Sequence, residues 1–287
     1  MKRRGPETLW ESLVHHDESV VAIETGTPQL LLRREGRVAV MTLNRPASMN
    51  ALSGELTPAI RRSIQRCADD PDIGALLITA AGKAFCAGGD VKGMGDRFEG
   101  AQQSEAERIA DLQRKQRTLT GALFRLNKPT VAALPGAAVG AGLALALACD
   151  IRILAASAFM ATGYARLAMS GDYGVNWFLS RLAGPGAARD MMLTARRIEA
   201  VECKAFGLAS QIVPDGELQA TSLRTADTLA SVSGAAVRSI KQNLNDALHL
   251  DLESMMDKEA DRLIRLLHSD EHRQAAEAFR NKSKDRS

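Results

Sequence analysis

Two stretches of the chain could do chemistry with backbone alone. Cys86-Ala87-Gly88-Gly89-Asp90 and Gly136-Ala137-Ala138-Val139-Gly140-Ala141-Gly142 each follow an apolar run and lead towards a helix-forming segment. Small residues leave peptide N–H groups uncovered there, and at a helix N-terminus those groups carry a positive partial charge. Two such groups converging on one carbonyl oxygen would stabilise negative charge as it develops. The same pattern also serves tight strand-to-helix packing with no ligand, and either stretch taken alone fits that use better. Neither is a dinucleotide fingerprint, because Gly136, Gly140 and Gly142 have the wrong spacing for G-x-G-x-x-G. The usual catalytic side chains are scarce. His15, His16, His249, His268 and His272 all lie near the ends, so a His triad or His metal site would need a terminal segment to fold back. Cys67, Cys86, Cys149 and Cys203 have no paired spacing, which suggests neither a zinc site nor a disulfide framework, but reduced thiols.

The elements that must position these turns belong to a chain of 287 residues, 45% apolar and 25% charged. That composition suits one large α/β domain with appendages, or two modest domains, and excludes disordered, collagenous and coiled-coil chains. With 37 basic against 34 acidic residues, the net charge of +3 is too small to imply nucleic-acid binding. The uncharged run from Thr130 to Cys149 is long enough to span a membrane, but Pro135 and its glycines favour a buried strand, a glycine-rich turn and a buried helix. Lys2, Arg3 and Arg4 precede no apolar segment, so the expected location is the cytoplasm.

Residues 1–28 read as an N-terminal extension, 29–210 as an α/β core and 211–287 as a helical region. Within the core, Leu30 to Leu43 predicts two strands joined at Gly36. Thr57-Pro58 predicts a helix start, with Ser53 as the alternative cap, and Ile60, Ile64 and Cys67 form its apolar stripe. Residues 74–79, 129–134 and 151–155 predict buried strands, 83–90 a glycine turn, 102–126 a helix, and 142–149 another. From Ser233 onward the pattern is helical, with Ile240, Leu244, Leu248, Leu252 and Met256 four apart.

Asn44-Arg45-Pro46 with Asn50-Ala51-Leu52, then KAFCAGGD at 83–90, KPTVAALPGAAVGAGLALALACDIRI at 128–153 and SRLAGPGAARDMMLTARRIEAVECKAFGLASQIV at 180–213 resemble the crotonase (enoyl-CoA hydratase/isomerase) superfamily over roughly residues 30–285. The resemblance implies an α/β crotonase-like spiral of ββα repeats with a helical C-terminal trimerisation region. It implies an acyl-CoA thioester as substrate, with CoA part of that substrate and no separate cofactor or metal. It also implies that the N–H groups of Gly89 and Ala141 form the oxyanion hole, which agrees with the turns read above.

The chain departs from the hydratase pattern. The two positions where hydratases carry Glu residues that activate water are Ala144 and Tyr164 here. Ala moves no proton, and Tyr is a poor base near neutral pH. A position that is Gly in hydratases has become Asp172, where several superfamily isomerases keep a catalytic Asp. In this, in an aromatic at the Tyr164 position and in Trp177, the chain resembles the ring-oxepin/epoxide isomerases of phenylacetate degradation. Near Met169, Val175 and Trp177 a carboxylate is expected to be harder to ionise, which suits it to proton shuttling. Asp172 could equally cap a helix beginning near Tyr173.

By resemblance Ala47, Ser48, Met49, Ala87, Asp90, Val91, Lys92, Phe279 and Lys282 face CoA; Asp90 and Asp150 also read as structural, and Tyr164 as a substrate hydrogen-bond partner or pocket filler. Met94, Met160, Met191 and Met192 read as core or pocket lining. The expected partners are an acyl-CoA substrate and copies of this chain in a homotrimer or dimer of trimers, with neither nucleic acid nor membrane. The leading expectation is a double-bond isomerase using Asp172. Its rivals are a hydratase with non-standard residues, a hydrolase or dehalogenase-like enzyme with Asp172 as nucleophile or base, and a non-catalytic acyl-CoA binding protein.

Overall fold

A computed structural model describes residues 20–90 and 104–284, except the side chains of 278–279 and 281–284. Its larger sheet has seven strands. An antiparallel entry, β1 (Val20–Ile23), β2 (Leu30–Glu35) and β3 (Val38–Leu43), turns at Gly36 with φ +54°. From β3 the sheet continues in parallel through β4 (Ala75–Ala80), β6 (Thr130–Leu134), β8 (Ile151–Ala155) and β11 (Gln211–Val213). The inner strands β4 and β6 are buried at every residue, which is why they read as continuous apolar runs rather than alternating ones. Two assignments made from the sequence change. Val20–Ile23, placed in the extension, is an edge strand, and Gln211–Val213, placed in the helical region, closes the far edge of the sheet.

The second sheet has the order β10-β9-β7-β5. Its strands are short: β5 (Ala84–Cys86), β7 (Ala137–Val139), β9 (Phe159–Ala161) and β10 (Ile198–Glu199). Sequence reading treated 83–90 and 136–142 as turns alone, yet each turn is fed by a strand, and the two strands pair in parallel through Ala84 with Ala137 and Cys86 with Ala138. That pairing brings two glycine turns from distant parts of the chain side by side.

Helix α1 (Leu56–Asp69) buries Ala59, Ile60, Ile64 and Cys67. It starts one residue before Thr57-Pro58. The Leu56 N–H donates to the Ser53 hydroxyl at 3.0 Å, so Ser53 is the residue that satisfies its first turn. Helix α2 (Glu105–Arg117) opens on a capping box in which Ser104 and Glu107 exchange hydrogen bonds, and α3 (Thr120–Phe124) follows. Helix α4 (Ala141–Leu147) is wholly buried, as the sequence of Thr130–Cys149 required, and among the described residues no helix is long and apolar enough to cross a membrane. The core continues through α5 (Val175–Leu182), α6 (Gly184–Thr194), α7 (Ala200–Ala205) and α8 (Leu218–Ala230).

The C-terminal part is α9 (Gly234–Asp246), α10 (Leu252–Leu267) and α11 (Asp270–Lys284). The apolar stripe read from the sequence spans two helices, and between them Asp251 accepts a hydrogen bond from Ser254 N–H and caps α10. Ile240, Leu244, Leu248, Leu252 and Met256 are all exposed on this chain. A buried Lys241 anchors α9 to the sheet, donating to Asp150 Oδ2 at 2.7 Å and to the Lys128 carbonyl at 2.9 Å. All four cysteines are buried and unpaired, and burial pushes each thiol up to about 12.

Candidate active site

The glycine turns meet because their strands do. After β5 the chain passes through Gly88, whose φ of +94° only glycine adopts freely. A Cβ on Gly88 would stand 2.9 Å from the Val139 carbonyl oxygen and 3.5 Å from the Ala141 nitrogen. The second turn is equally tight. Gly140 has φ +55° and its N–H donates to the Ala161 carbonyl, and a Cβ on Gly142 would overlap Cys86. Packing therefore does require these glycines, and it does so around an opening rather than a solid contact. Among the described residues neither the Gly89 N–H nor the Ala141 N–H, the first of α4, has an acceptor. Both residues line one cleft of about 470 Å3.

Asp172 and Tyr164 line the same cleft. The Tyr164 hydroxyl donates to Asp172 Oδ1 at 2.7 Å. Burial raises the Asp172 carboxyl above its ordinary range, and the Tyr164 hydrogen bond opposes the rise. Burial, with the Asp172 charge beside it, pushes the Tyr164 phenol up as well, so the phenol stays protonated and acts as the donor of the pair. The capping role for Asp172 is not the one its side chain fills. Helix α5 begins at Val175 behind Gly174, at φ +80°, with no side-chain cap. Asp172 contributes only its carbonyl there, accepting from the Val175 N–H at 3.1 Å.

Neighbouring elements fix this corner. Tyr173 has φ +51°, an unusual conformation for a bulky residue. Its N–H donates to Gln116 Oε1 at 2.7 Å, and its carbonyl accepts from the Thr120 hydroxyl at 2.9 Å. Thus α2 and α3 clamp the residue next to Asp172. Ala144 is fully buried in α4 and presents no ionisable group.

The expected neighbours of Asp172 divide. Met169 lines the cleft, and Val175 is buried in the core. Trp177 instead packs edge-on against Phe124 and Phe178, under the Arg181 guanidinium, and lines a different cavity of about 640 Å3 together with Lys241 and His249. Met160 and Met191 are core residues, and Met192 packs against the core.

Of the residues expected to face CoA, Ala87 and Asp90 line the cleft, and Asp90 is paired with Arg45 at 3.2 Å. Ala47, Ser48 and Met49 form an exposed turn beside the cleft rather than in its lining, and the Met49 carbonyl accepts from the Ala87 N–H at 3.0 Å. Asn50, buried below that turn, donates to the Ala81 and Ala84 carbonyls and so braces β5. Val91, Lys92 and Met94, and the side chains of Phe279 and Lys282, lie outside the described residues. Asp150 is structural, held by Thr130 and Lys241. The sequence reading missed Thr57 and Arg61 of α1, Leu112 and Lys115 of α2, and Tyr173, all in the cleft wall. The spacing of Thr57 and Arg61, one helical turn apart, was the available signal.

A family model described as enoyl-CoA hydratase/isomerase matches residues 33–286. The short-chain-enoyl-CoA hydratase of Clostridium acetobutylicum is 31% identical over 260 residues, covering 89% of this chain and 95% of that one. The crotonyl-CoA hydratase of Syntrophomonas wolfei is 32% identical over 256 residues, covering 89% and 96%. A solved enoyl-CoA hydratase from Polaromonas sp. JS666 superposes with a TM-score of 0.82 at 29% identity, covering 88% of this chain and 97% of that one. These relatives are named as hydratases, which sits closer to the rival expectation of hydration than to the leading one of isomerisation. With its two sheets, C-terminal helices and cleft, the chain belongs to the enoyl-CoA hydratase/isomerase family, an enzyme of crotonase fold acting on acyl-CoA.

Proposed function

We propose that this enzyme moves a double bond along an acyl-CoA thioester, with Asp172 carrying the proton. The observation that carries the reading is the Tyr164–Asp172 hydrogen bond in a cleft whose other wall holds two N–H groups without acceptors. In this reading the thioester oxygen accepts from Gly89 N–H and Ala141 N–H. The Asp172 carboxylate removes a proton α or γ to the thioester: a C–H bond breaks, an O–H bond forms on Asp172, and the electron pair spreads to the thioester oxygen. The two N–H groups stabilise that enolate or dienolate. Asp172 then returns the proton at the other end of the allyl system, so one carboxylate serves both steps. Tyr164 stays protonated and steadies the ionised carboxylate. Ala87 and Asp90 flank the path for CoA in this reading, with Ala47–Met49 beside it; Val91, Lys92, Phe279 and Lys282 remain CoA-contact assignments from the family resemblance alone.

Hydration is the second reading, and the names of the relatives favour it. It requires one acidic group to do what hydratases divide between two, because Ala144 and Tyr164 stand at those positions. Incubation of wild type and Asp172→Asn in heavy water with 2-enoyl-, 3-enoyl- and dienoyl-CoA thioesters, followed by mass spectrometry, separates the readings. Double-bond migration with deuterium uptake in wild type, lost in the variant, is the expected result. Net gain of water by the substrate establishes hydration instead. Release of free acid establishes hydrolysis, and binding without turnover removes the enzyme reading for these substrates.

A further inference from the structure

The charged groups lining the cleft are not all paired with an opposite charge. Among the described lining residues the charged groups are Asp90, Asp172, Arg61 and Lys115. Asp90 is paired with Arg45, and Lys115 is paired with Asp111 at 2.5 Å. Asp172 is held by a neutral phenol. Arg61 has no carboxylate partner among the described residues.

Arg61 is also incompletely satisfied as a donor, with the Lys115 carbonyl and the Tyr173 phenol as its acceptors. A guanidinium has five N–H donors. Its one hydrogen bond to a carbonyl runs from a terminal nitrogen to Lys115 O, at a long 3.3 Å. Its Nε is buried and has no partner. The remaining N–H donors of the terminal nitrogens are the ones a ligand oxygen in the cleft could use. Neighbouring arginines of α1 do not share this state in the cleft: Arg62 and Arg66 turn outward to the Thr25 and Glu24 carbonyls.

The guanidinium faces the Tyr173 phenol, where its charge opposes the rise that burial causes. Tyr173 adjoins Asp172, and Arg61, Tyr173 and Asp172 line one cleft, whose lining does not include the Ala47–Met49 turn. From this geometry we propose that Arg61 is a specificity residue, and that the acyl group this enzyme takes carries an oxygen acceptor, a carboxylate foremost, towards its end remote from sulfur. Arg is suited to that task because its planar fork matches a carboxylate bidentately. The inference rests on the acyl-CoA reading of the cleft but not on which reaction follows.

Calorimetric binding of saturated, unreactive thioesters to the full chain tests it: hexanoyl-CoA, 5-oxohexanoyl-CoA, adipoyl-CoA and free CoA against wild type, Arg61→Met and Arg61→Lys. Wild type is expected to bind adipoyl-CoA at least ten-fold more tightly than hexanoyl-CoA, with the oxo compound between. Arg61→Met is expected to erase that preference while leaving free CoA unchanged, and Arg61→Lys to retain part of it. If the oxo compound equals adipoyl-CoA, the acceptor is a neutral oxygen and the carboxylate preference is overturned. A wild-type preference for hexanoyl-CoA overturns the proposal. So does an Arg61→Met variant that weakens every ligand equally, free CoA included, because Arg61 then serves CoA. Selective binding here, with no double-bond migration of enoyl-CoA thioesters in heavy water, would refute the isomerase reading and leave Arg61 in place.

Discussion

Asp172 and Tyr164 share one hydrogen bond, and their environments decide which of them gives up a proton. Burial disfavours both anions, but the carboxyl starts far lower and ionises first. Asp172→Asn keeps an oxygen for the Tyr164 hydroxyl and loses the base, so turnover is expected to fall roughly a hundred- to ten-thousand-fold with the fold intact. Stability should move the other way. With its folded-state ionisation raised, the native chain binds more protons than the unfolded one between the two ionisation points, so stability falls as pH rises through that window. The melting temperature of Asp172→Asn at neutral pH is therefore expected at or above wild type, the gap closing on acidification. Tyr164→Phe removes the donor that favours the ionised carboxylate. The acid limb of its kcat/KM profile should move to higher pH, with roughly a ten-fold loss of rate on the acid side. The sequence motif located Asp172 but left capping and chemistry open. Its side chain does not cap α5, which follows Gly174 at positive φ, and instead accepts from Tyr164, eight residues earlier.

At the scale of elements, the site exists because β5 and β7 are neighbours. Strands of three residues carry no readable alternation, so the second sheet was invisible to periodicity, while β4, β6 and β8 stood out as apolar runs. The glycines were legible, but what they cleared room for was not. Gly136 meets the Lys83 carbonyl and Gly142 meets Cys86, so each sits where one strand-turn unit crosses the other. Gly142→Ala is expected to destabilise by about 2–3 kcal/mol, read by chemical denaturation, and to impair activity as α4 shifts away from β5. Gly216→Ala, in a surface turn with nothing within 4 Å, should change neither. The C-terminal stripe read as helical without showing its breaks: five residues separate α9 from α10, and the Asp251 cap marks the place.

The whole molecule leaves an unusual amount of apolar side chain uncovered on its last helices. Leu244, Leu252, Met256, Leu263, Ile264 and Leu267 are all exposed in the single chain. The expected cover for this surface is another copy of the chain in a trimer. Leu244→Glu combined with Leu263→Glu is expected to shift the sedimenting species to monomer, with the α/β core still folded. A wild type that sediments as monomer would defeat the expectation. The fold as a whole was legible because its motifs come in a fixed order along the chain. The trimer expectation came from the resemblance alone, because an exposed stripe has the same sequence pattern as one that packs at home.

A further consequence follows from the four hidden thiols. An enzyme that handles activated thioesters risks having its own sulfur attack the acyl carbon and carry the group away. Cys86 immediately precedes the turn that offers Gly89, yet it is fully buried and its thiol is pushed up to about 12. The anion is the attacking form, and burial keeps this thiol protonated at neutral pH. Burial thus disfavours self-acylation where it would do most harm.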